Sequence, residues 1–232
     1  MIAVMVPFRP HGTRNRLWEF TRNWIADHYD YPVFTADTPN RAFNRGMARN
    51  NAARAAGDWD VGIFHDADTI AHPEAIEEAI DMAVATGKMV VAGDCFTYLS
   101  KGTTERILST GDVGFVSAER YDEDGVYARP CSGVVVVTRK LFDAVGGYIE
   151  SFRGWGYEDL IFLTSCGIFG NGNTWVPHYG LLHLWHERAE RDADTENNRM
   201  LWEHLVRIKD SGDRDGAIAW LRSQGHRPGG MP

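Results

Sequence analysis

VGIFHDADTI, residues 61–70, joins an apolar, β-branched run to two carboxylates that bracket one small residue. The run Asp60–His65 predicts a buried strand, which places Asp66 and Asp68 in the turn that follows it. Carboxylates at i and i+2 of an extended turn can face one ligand, and Mg²⁺ or Mn²⁺ takes one or two carboxylates together with water and phosphate oxygens. The turn therefore suits a metal-bound nucleotide diphosphate, although two solvated acids in a loop explain the same spacing equally well.

Strands and helices alternate on both sides of this turn. Predicted strands are Ile2–Val6, Tyr31–Ala36, Asp60–His65 and Met89–Ala92, and predicted helices are 14–28, 42–56 and Pro73 to Gly87. The alternation predicts an α/β fold with an open, Rossmann-like, mostly parallel sheet. Ligands of such sheets bind beyond the carboxyl ends of the strands. The segments after Pro7, Asp37 and Asp66 are therefore the predicted site.

The second half of the chain is less regular. Residues 94–130 are rich in Gly, Ser, Thr and charge, and predict a long functional loop with room for a hairpin. Further predicted elements are a strand at Gly133–Thr138, helices at Lys140–Val145 and 158–169, a strand within Thr174–His186, and two amphipathic helices after Thr195. Without a linker or repeat, we expect one domain over 1–190 and a helical extension over 191–232 packed on it.

Composition excludes several classes of protein. The chain has 232 residues and a net charge of −8, which argues against stable binding of duplex nucleic acid. No apolar stretch reaches the roughly 18 residues of a membrane span, and the N-terminus lacks the charged and apolar regions of a signal peptide. Three widely spaced cysteines, without a zinc-type spacing, indicate free thiols. We therefore expect a cytoplasmic protein.

Two histidines near the end of the predicted domain are candidate metal ligands. His183 and His186 lie in GLLHLWHERAE, residues 180–190, and neutral imidazole suits Mn²⁺. On a strand, residues three apart point to opposite faces. We therefore expect one histidine to be a ligand and the other to pack, while two ordinary hydrogen-bonded histidines remain the simpler explanation.

GWGYEDLIF, residues 154–162, places Glu158 and Asp159 in the first turn of a predicted helix. Acids there complement the helix dipole, so capping is the simpler explanation. The alternative is a general base or an acceptor of hydrogen bonds from sugar hydroxyls, with Trp155 as a platform for a sugar ring. Near the N-terminus, Arg9, Arg14 and Arg16 suit phosphate binding or an ordinary solvated helix start equally well.

Taken in order, the motifs resemble metal-dependent GT-A glycosyltransferases, especially the β-1,4-galactosyltransferase, polypeptide GalNAc-transferase and chondroitin-synthase group. The resemblance covers residues 2–190, and each motif is weak alone while the ordered set is fairly specific. The matching segments are Pro7-Phe8-Arg9, Phe43-Asn44-Arg45, Asp66-Ala67-Asp68, Cys131-Ser132-Gly133-Val134, Lys140 to Gly147, Gly154 to Asp159, and Trp185-His186.

The resemblance implies roles for these residues. Mn²⁺ (or Mg²⁺) would be held by Asp68 and His186, with His183 as the alternative and Asp66 near the ribose or a metal-bound water. The remaining site residues divide between a uridine diphosphate pocket, formed by Pro7, Phe8, Arg9, Phe43, Arg45 and Asp66, and a sugar and acceptor side, formed by Ser132, Gly133, Trp155 and Glu158.

The resemblance also implies a reaction. Asp159 would deprotonate an acceptor hydroxyl, which displaces the nucleotide of a UDP-linked sugar with inversion. The acceptor stays open between a glycan, a protein side chain and a modified base. Tyr157 departs from the family because a small residue is usual at this position.

Two other functions fit parts of the sequence. Asp66-Ala67-Asp68-Thr69-Ile70 resembles the loop of haloacid-dehalogenase phosphatases, in which the first Asp is the nucleophile, but Ile70 and the location after the third strand depart from that pattern. The second is a non-catalytic nucleotide- or carbohydrate-binding module that has lost its catalytic site. The presence of Asp66, Asp68, Glu158, Asp159 and His186 argues against such a loss.

Overall fold

A computed structural model describes residues 1–39, 43–114, 123–154, 156–187 and 193–229. The strands are β1 (Ile2–Pro7), β2 (Val33–Ala36), β3 (Val61–His65), β4 (Thr69–Ile70), β5 (Met89–Val91), β6 (Cys95–Leu99), β7 (Glu123–Ala128), β8 (Val134–Thr138), β9 (Asn173–Trp175) and β10 (Gly180–His183). The helices are α1 (Arg14–His28), α2 (Arg45–Ala55), α3 (Pro73–Thr86), α4 (Lys101–Thr110), α5 (Arg139–Val145), α6 (Glu158–Phe169), α7 (Ala193–Asp210) and α8 (Arg214–Ser223).

The main sheet has the order β2-β1-β3-β8-β5-β9. Its pairs are parallel except that β8 runs antiparallel to both of its neighbours. β3 and β5 are buried at every residue, as expected for strands covered on both faces. The predicted α/β class and mostly parallel open sheet are therefore confirmed.

A second, four-stranded sheet has the order β4-β10-β6-β7. The expectation of a long loop over 94–130 was wrong for most of the segment, because it contains β6, α4 and β7, whereas the hairpin allowed for there is present as the antiparallel pair of β6 and β7. β6 and β7 pair antiparallel, with Cys95 opposite Ala128, and α4 lies between them in place of a tight turn. The aromatic and β-branched run Phe96-Thr97-Tyr98 favours a strand, but the polar composition around it hid that signal.

The region expected to hold one strand within Thr174–His186 contains two. β9 joins the edge of the main sheet, whereas β10 lies inside the second sheet between β4 and β6. β4 pairs antiparallel with β10. The two-residue β4 is too short to be predicted from its sequence.

Local signals fix the helices beside the site. Pro73 begins α3 and Gly87 ends it, as predicted, and the structure shows Gly87 in the left-handed conformation. α2 begins at Arg45, where Asn44 accepts a hydrogen bond from the backbone N–H of Met47. The predicted helix start at residue 42 therefore lies too early, and residue 42 itself is outside the described residues.

The C-terminal helices pack on α6. Leu205 of α7 and Leu221 of α8 are buried in one cluster with Ile149 and Ile161. The domain boundary at 190/191 stays a prediction, since it falls among residues that the structure does not describe. Within the described ranges, none of the helices combines the length and hydropathy that crossing a membrane requires.

Candidate active site

The turn after β3 lies where the two sheets meet. The backbone N–H of Asp66 donates to the carbonyl of Gly133, just before β8, at 2.7 Å. Two residues later, the carbonyl of Asp68 accepts a hydrogen bond from the N–H of Leu184, just after β10, at 2.8 Å. The main sheet thus fixes the first acid, and the second sheet fixes the other.

Asp68 lies against both candidate histidines. Its Oδ2 is 3.1 Å from Nε2 of His186, and its Oδ1 is 3.6 Å from Nε2 of His183. One ligand atom from each of the three side chains falls within 4.8 Å of the others. The expectation that the histidines point to opposite faces was wrong, because β10 ends at His183 and strand alternation does not extend to His186.

This trio has the chemistry of a site for Mn²⁺. One carboxylate and two imidazoles suit a borderline cation, and they leave further positions for water and phosphate oxygens. Burial lowers the pKa of His183, which keeps its ring neutral and able to offer a lone pair. Arg14 adds positive charge, with Nη1 3.7 Å from Oδ2 of Asp68 and Nη2 3.3 Å from Nε2 of His186.

Asp66 belongs to a different cluster. Its Oδ1 accepts a hydrogen bond from Nη2 of Arg49 at 2.7 Å, and it does not belong to the trio of candidate metal ligands. The same guanidinium donates from Nη1 to Oδ1 of Asp159 at 2.5 Å. Arg49 therefore bridges the turn after β3 and the first turn of α6.

Glu158 and Arg45 complete this acidic cluster. Oε1 of Glu158 lies 3.5 Å from Nη1 of Arg45 and 3.6 Å from Nη1 of Arg49. That oxygen is buried and has no hydrogen-bond partner among the described residues. The N-cap of α6, Tyr157, makes no side-chain capping bond, so Glu158 and Asp159 stabilise the start of this helix through their charge in its first turn.

Asp159 has the pKa of a usable base. Burial raises the pKa of its carboxyl to about 7, with Glu158 and Asp66 adding to the rise and Arg49 opposing it. Proton transfer to a side chain is most effective when its pKa lies near the working pH. The cluster thus places, beside the candidate metal site, a carboxylate that can take a proton near neutrality.

Comparisons with known proteins indicate the fold. A family model described as the N-terminal domain of galactosyltransferase matches residues 114–164. A mutant β1,4-galactosyltransferase 7 of Drosophila, solved with manganese, UDP-Gal and xylobiose, aligns over 85% of this chain and 79% of its own at 18% identity and a TM-score of 0.53.

Two further structures extend the likeness to nearly the whole chain. GalNAc-T7 with UDP, GalNAc and Mn²⁺ covers 98% of this chain and 55% of its own, at 12% identity and a TM-score of 0.56. Glucosyl-3-phosphoglycerate synthase of Mycobacterium tuberculosis with Mn²⁺, UDP and phosphoglyceric acid covers 100% and 79%, at 16% identity and a TM-score of 0.50.

The chain has the GT-A glycosyltransferase fold. The phosphatase and the non-catalytic module are not favoured by these likenesses. In this GT-A chain, the metal-ligand trio and the Arg49 cluster both lie at the turn that follows β3.

The predicted donor residues of the GT-A domain divide into two groups. Arg9 donates to Oδ1 of Asp37 at 2.8 Å and to the carbonyl of Thr38 at 2.6 Å, and its guanidinium lies 5.4 Å from the ring centre of Phe43. Arg9 and its partners Asp37 and Thr38 lie in the segments that follow β1 and β2. Arg45 lies apart from them, in the cluster with Glu158. Arg16 instead pairs with Glu105 at 2.6 Å on the surface.

The other donor residues precede Arg9. Pro7 is the buried last residue of β1, and the ring of Phe8 packs on Trp18 with centroids 5.5 Å apart. Both residues therefore support the end of the strand.

The predicted acceptor segment lies against the acids. Burial raises the pKa of the Cys131 thiol to about 12, and the negative charges of Asp159 and Glu158 add to the rise. Ser132 and Gly133 follow directly, and Gly133 has a φ of 93°. A Cβ there would lie 2.5 Å from Cε2 of Phe96, so only glycine fits. Trp155, predicted as a sugar platform, lies outside the described residues.

Arg49 is the residue that sequence reasoning missed. It lies one helical turn after Arg45 on the Ala-rich helix α2, and its side chain is only 2% exposed. Its spacing of four residues from Arg45 was the available signal. Sequence alone does not distinguish such a pair from arginines on a solvated helix face.

Proposed function

We propose that the protein transfers a sugar from a UDP-linked donor to an acceptor hydroxyl. The observation that carries the proposal is the closeness of two groups of different chemistry around one turn. Asp68, His183 and His186 form a candidate Mn²⁺ site. Asp66, two residues before Asp68, accepts a hydrogen bond from Arg49, which also bonds to Asp159. The GT-A structures with manganese and uridine nucleotides named above support this reading.

Asp68, His183 and His186 would hold Mn²⁺, or Mg²⁺ less well because Mg²⁺ prefers oxygen ligands alone. When bound, the ion would neutralise the negative charge that develops on the leaving diphosphate. Arg14 lies beside this trio with its side chain 38% exposed. The guanidinium of Arg14 could donate hydrogen bonds to phosphate oxygens of the donor.

Asp159 would take the proton of the acceptor hydroxyl as the oxygen attacks the anomeric carbon. Arg49 holds Oδ1 of this carboxylate, and among the described residues no hydrogen bond reaches Oδ2. Oδ2 would therefore accept the proton. A single displacement on the face opposite the nucleotide inverts the anomeric configuration. An acid that titrates near neutrality at this position favours this mechanism over one without a base.

Glu158 and the segment around Ser132 and Gly133 would line the acceptor side. Glu158 has a buried oxygen without a hydrogen-bond partner in the described part of the chain, and a sugar hydroxyl could supply that bond.

A panel of UDP-sugars tests the proposal. We expect UDP to stabilise the protein against heat only when MnCl₂ is present, and at least one UDP-sugar to release UDP slowly to water. Asp68→Ala should remove the metal-dependent stabilisation by UDP. Asp159→Asn should keep that stabilisation and lose turnover by about 10²–10⁴-fold, the usual contribution of a general base.

The matched control is Asp112→Asn, because this side chain is 70% exposed and its carboxylate lies 3.9 Å from Nη1 of Arg106 on the surface. It should match the parent in both assays. If UDP binds equally well with and without Mn²⁺ and no UDP-sugar is consumed, the proposed function is wrong.

A further inference from the structure

Arg49 makes contacts that a solvated helix residue would not make. One nitrogen of its guanidinium bonds to Asp66 at 2.7 Å, and another bonds to Asp159 at 2.5 Å. The side chain is 2% exposed, and its guanidinium lies 4.9 Å from the ring centre of Tyr148. A buried cation is tolerated only when it is paired and hydrogen-bonded, and these contacts meet both conditions.

The two acids come from different elements. Asp66 lies in the turn after β3, and the same turn carries Asp68 of the candidate metal site. Asp159 lies in the first turn of α6. The planar guanidinium presents its N–H groups in a fixed fork. A fork that bonds to one oxygen of each carboxylate therefore fixes the position of one acid relative to the other.

We infer that Arg49 is a positioning residue for the transfer reaction, which holds the base Asp159 in register with the turn that carries the candidate metal site. This inference rests on the proposed function. Arg49 leaves Oδ2 of Asp159 for the acceptor and keeps Asp66 turned toward α2. It therefore acts through Asp159 and does not itself contact the donor in this reading.

The charge of Arg49 also tunes the base. Burial opposes that charge, but Asp159 and Asp66 outweigh it and raise the pKa of the guanidinium well above its ordinary value. The cation in turn opposes the rise in the pKa of Asp159. The charged and titratable groups that face Asp159 are Arg45 and Arg49 of α2, Asp66, Cys131, Tyr148 and Glu158.

Two substitutions separate the fork from the charge. Arg49→Lys keeps a cation but cannot bond to both acids in the same geometry. Arg49→Met keeps much of the side-chain volume and removes the charge. Arg54→Lys is the matched control, because Arg54 lies on the same helix, its side chain is 40% exposed, and within the described ranges its guanidinium pairs only with Asn51 and Glu150.

The readouts are Mn²⁺-dependent stabilisation by UDP and the pH profile of UDP release from the UDP-sugar that the parent consumes. We expect Arg49→Lys to keep the UDP and Mn²⁺ response and to lose kcat by at least about 10²-fold, the cost of a misplaced reacting group. The acid limb of the pH profile of Arg49→Lys should stay near that of the parent. Arg49→Met should move that limb to higher pH, and Arg54→Lys should change neither readout.

The outcomes separate this inference from the proposed function. If the parent is active and Arg49→Lys retains near-parental kcat, the positioning role is wrong while the proposed function stands. If Arg49→Lys loses the UDP and Mn²⁺ response together with kcat, Arg49 supports the whole fold and the positioning role is again wrong. If the parent itself neither binds UDP with Mn²⁺ nor consumes a UDP-sugar, both fail. Should Arg49→Met not fold, the Lys variant alone decides the matter.

Discussion

The ring of Tyr157 packs on that of Trp202, with centroids 5.7 Å apart. Tyr157 has a φ of 72° in the left-handed region, which costs a residue with a side chain about 1–3 kcal/mol. Nε1 of Trp202 donates to Oγ1 of Thr164 on α6. The contact explains why a bulky residue precedes the two acids, since its ring joins the start of α6 to α7.

The rate of donor turnover should rise with pH through about 7, the pKa of Asp159, because the base must be ionised to act. The pKa is raised mainly by burial. A pH–rate profile of UDP release with saturating Mn²⁺ measures this limb. The limb should be missing from the residual activity of Asp159→Asn, and a limb near pH 4, the ordinary value for Asp, would contradict the assignment.

The same pKa affects folding with the opposite sign. Asp159 binds a proton more tightly in the folded chain than in the unfolded chain, because its folded pKa lies above its ordinary value. Its contribution to the free energy of unfolding is therefore fully present at acid pH and is lost as pH rises to about 7. Relative to the parent, Asp159→Asn should lose this pH dependence in urea titrations. If the free energy of unfolding changed with pH equally in both proteins, the raised pKa would be contradicted.

His183→Ala and His186→Ala should each weaken Mn²⁺ binding, since both rings lie against Asp68. We expect a loss of at least about tenfold for each, because residues that only support a ligand already cost 10–100-fold. Calorimetric titration with MnCl₂ in the presence of UDP measures the affinity. His28→Ala is the control, because that ring stacks on Trp24 at the surface. A loss in only one of the two variants would favour a single histidine ligand.

Asn198→Ala should destabilise the protein. The buried amide of Asn198 donates to the carbonyls of Arg153 and Gly156 at 2.8 and 3.2 Å, and so holds both ends of the GWG segment. Removal of a partner from buried polar groups costs about 1–3 kcal/mol. Urea unfolding measures the loss, and Asn197→Ala, on the exposed side of the same helix, should change stability little. Equal stability of the two variants would show that the segment is held by other contacts.

Gly133→Ala should also destabilise the protein and should reduce turnover. The new Cβ would lie 2.5 Å from Phe96 and 3.0 Å from Leu181, on a backbone that side chains rarely adopt. We expect a cost of about 1–3 kcal/mol from the strained backbone. Gly102→Ala, in α4 and without a close neighbour, should be stabilising by up to about 1 kcal/mol. Thermal unfolding of both variants checks this contrast.

The sequence predicted elements whose signals are local. Continuous apolar runs identify β1, β3 and β8, and a proline at one end and a glycine at the other identify α3. The acids of the turn were found because they follow such a run. In contrast, the position of Arg49 between Asp66 and Asp159 depends on how α2 packs against two other elements. The local signal, a spacing of four residues from Arg45, is the same for arginines on a solvated helix face.

The two sheets show a second limit of sequence reasoning. Period-two alternation placed His183 and His186 on opposite faces, but that argument holds only inside a strand, and β10 ends at His183. The segment 94–130 was predicted as a long loop because its composition is polar, whereas its strands β6 and β7 belong to the second sheet. Long-range pairing, and not local preference, decides such elements.

The pairing of β4 with β10 has a consequence for the order of assembly. Asp68 belongs to the first third of the chain, whereas His183 ends β10, the last described strand in chain order, and His186 follows it. Contacts between distant segments form late in folding, because the intervening loop must first be closed. A chain still emerging from the ribosome can thus pair β1 with β2 and β3 before either histidine has been made, and the candidate metal site can be completed only after synthesis has passed β10.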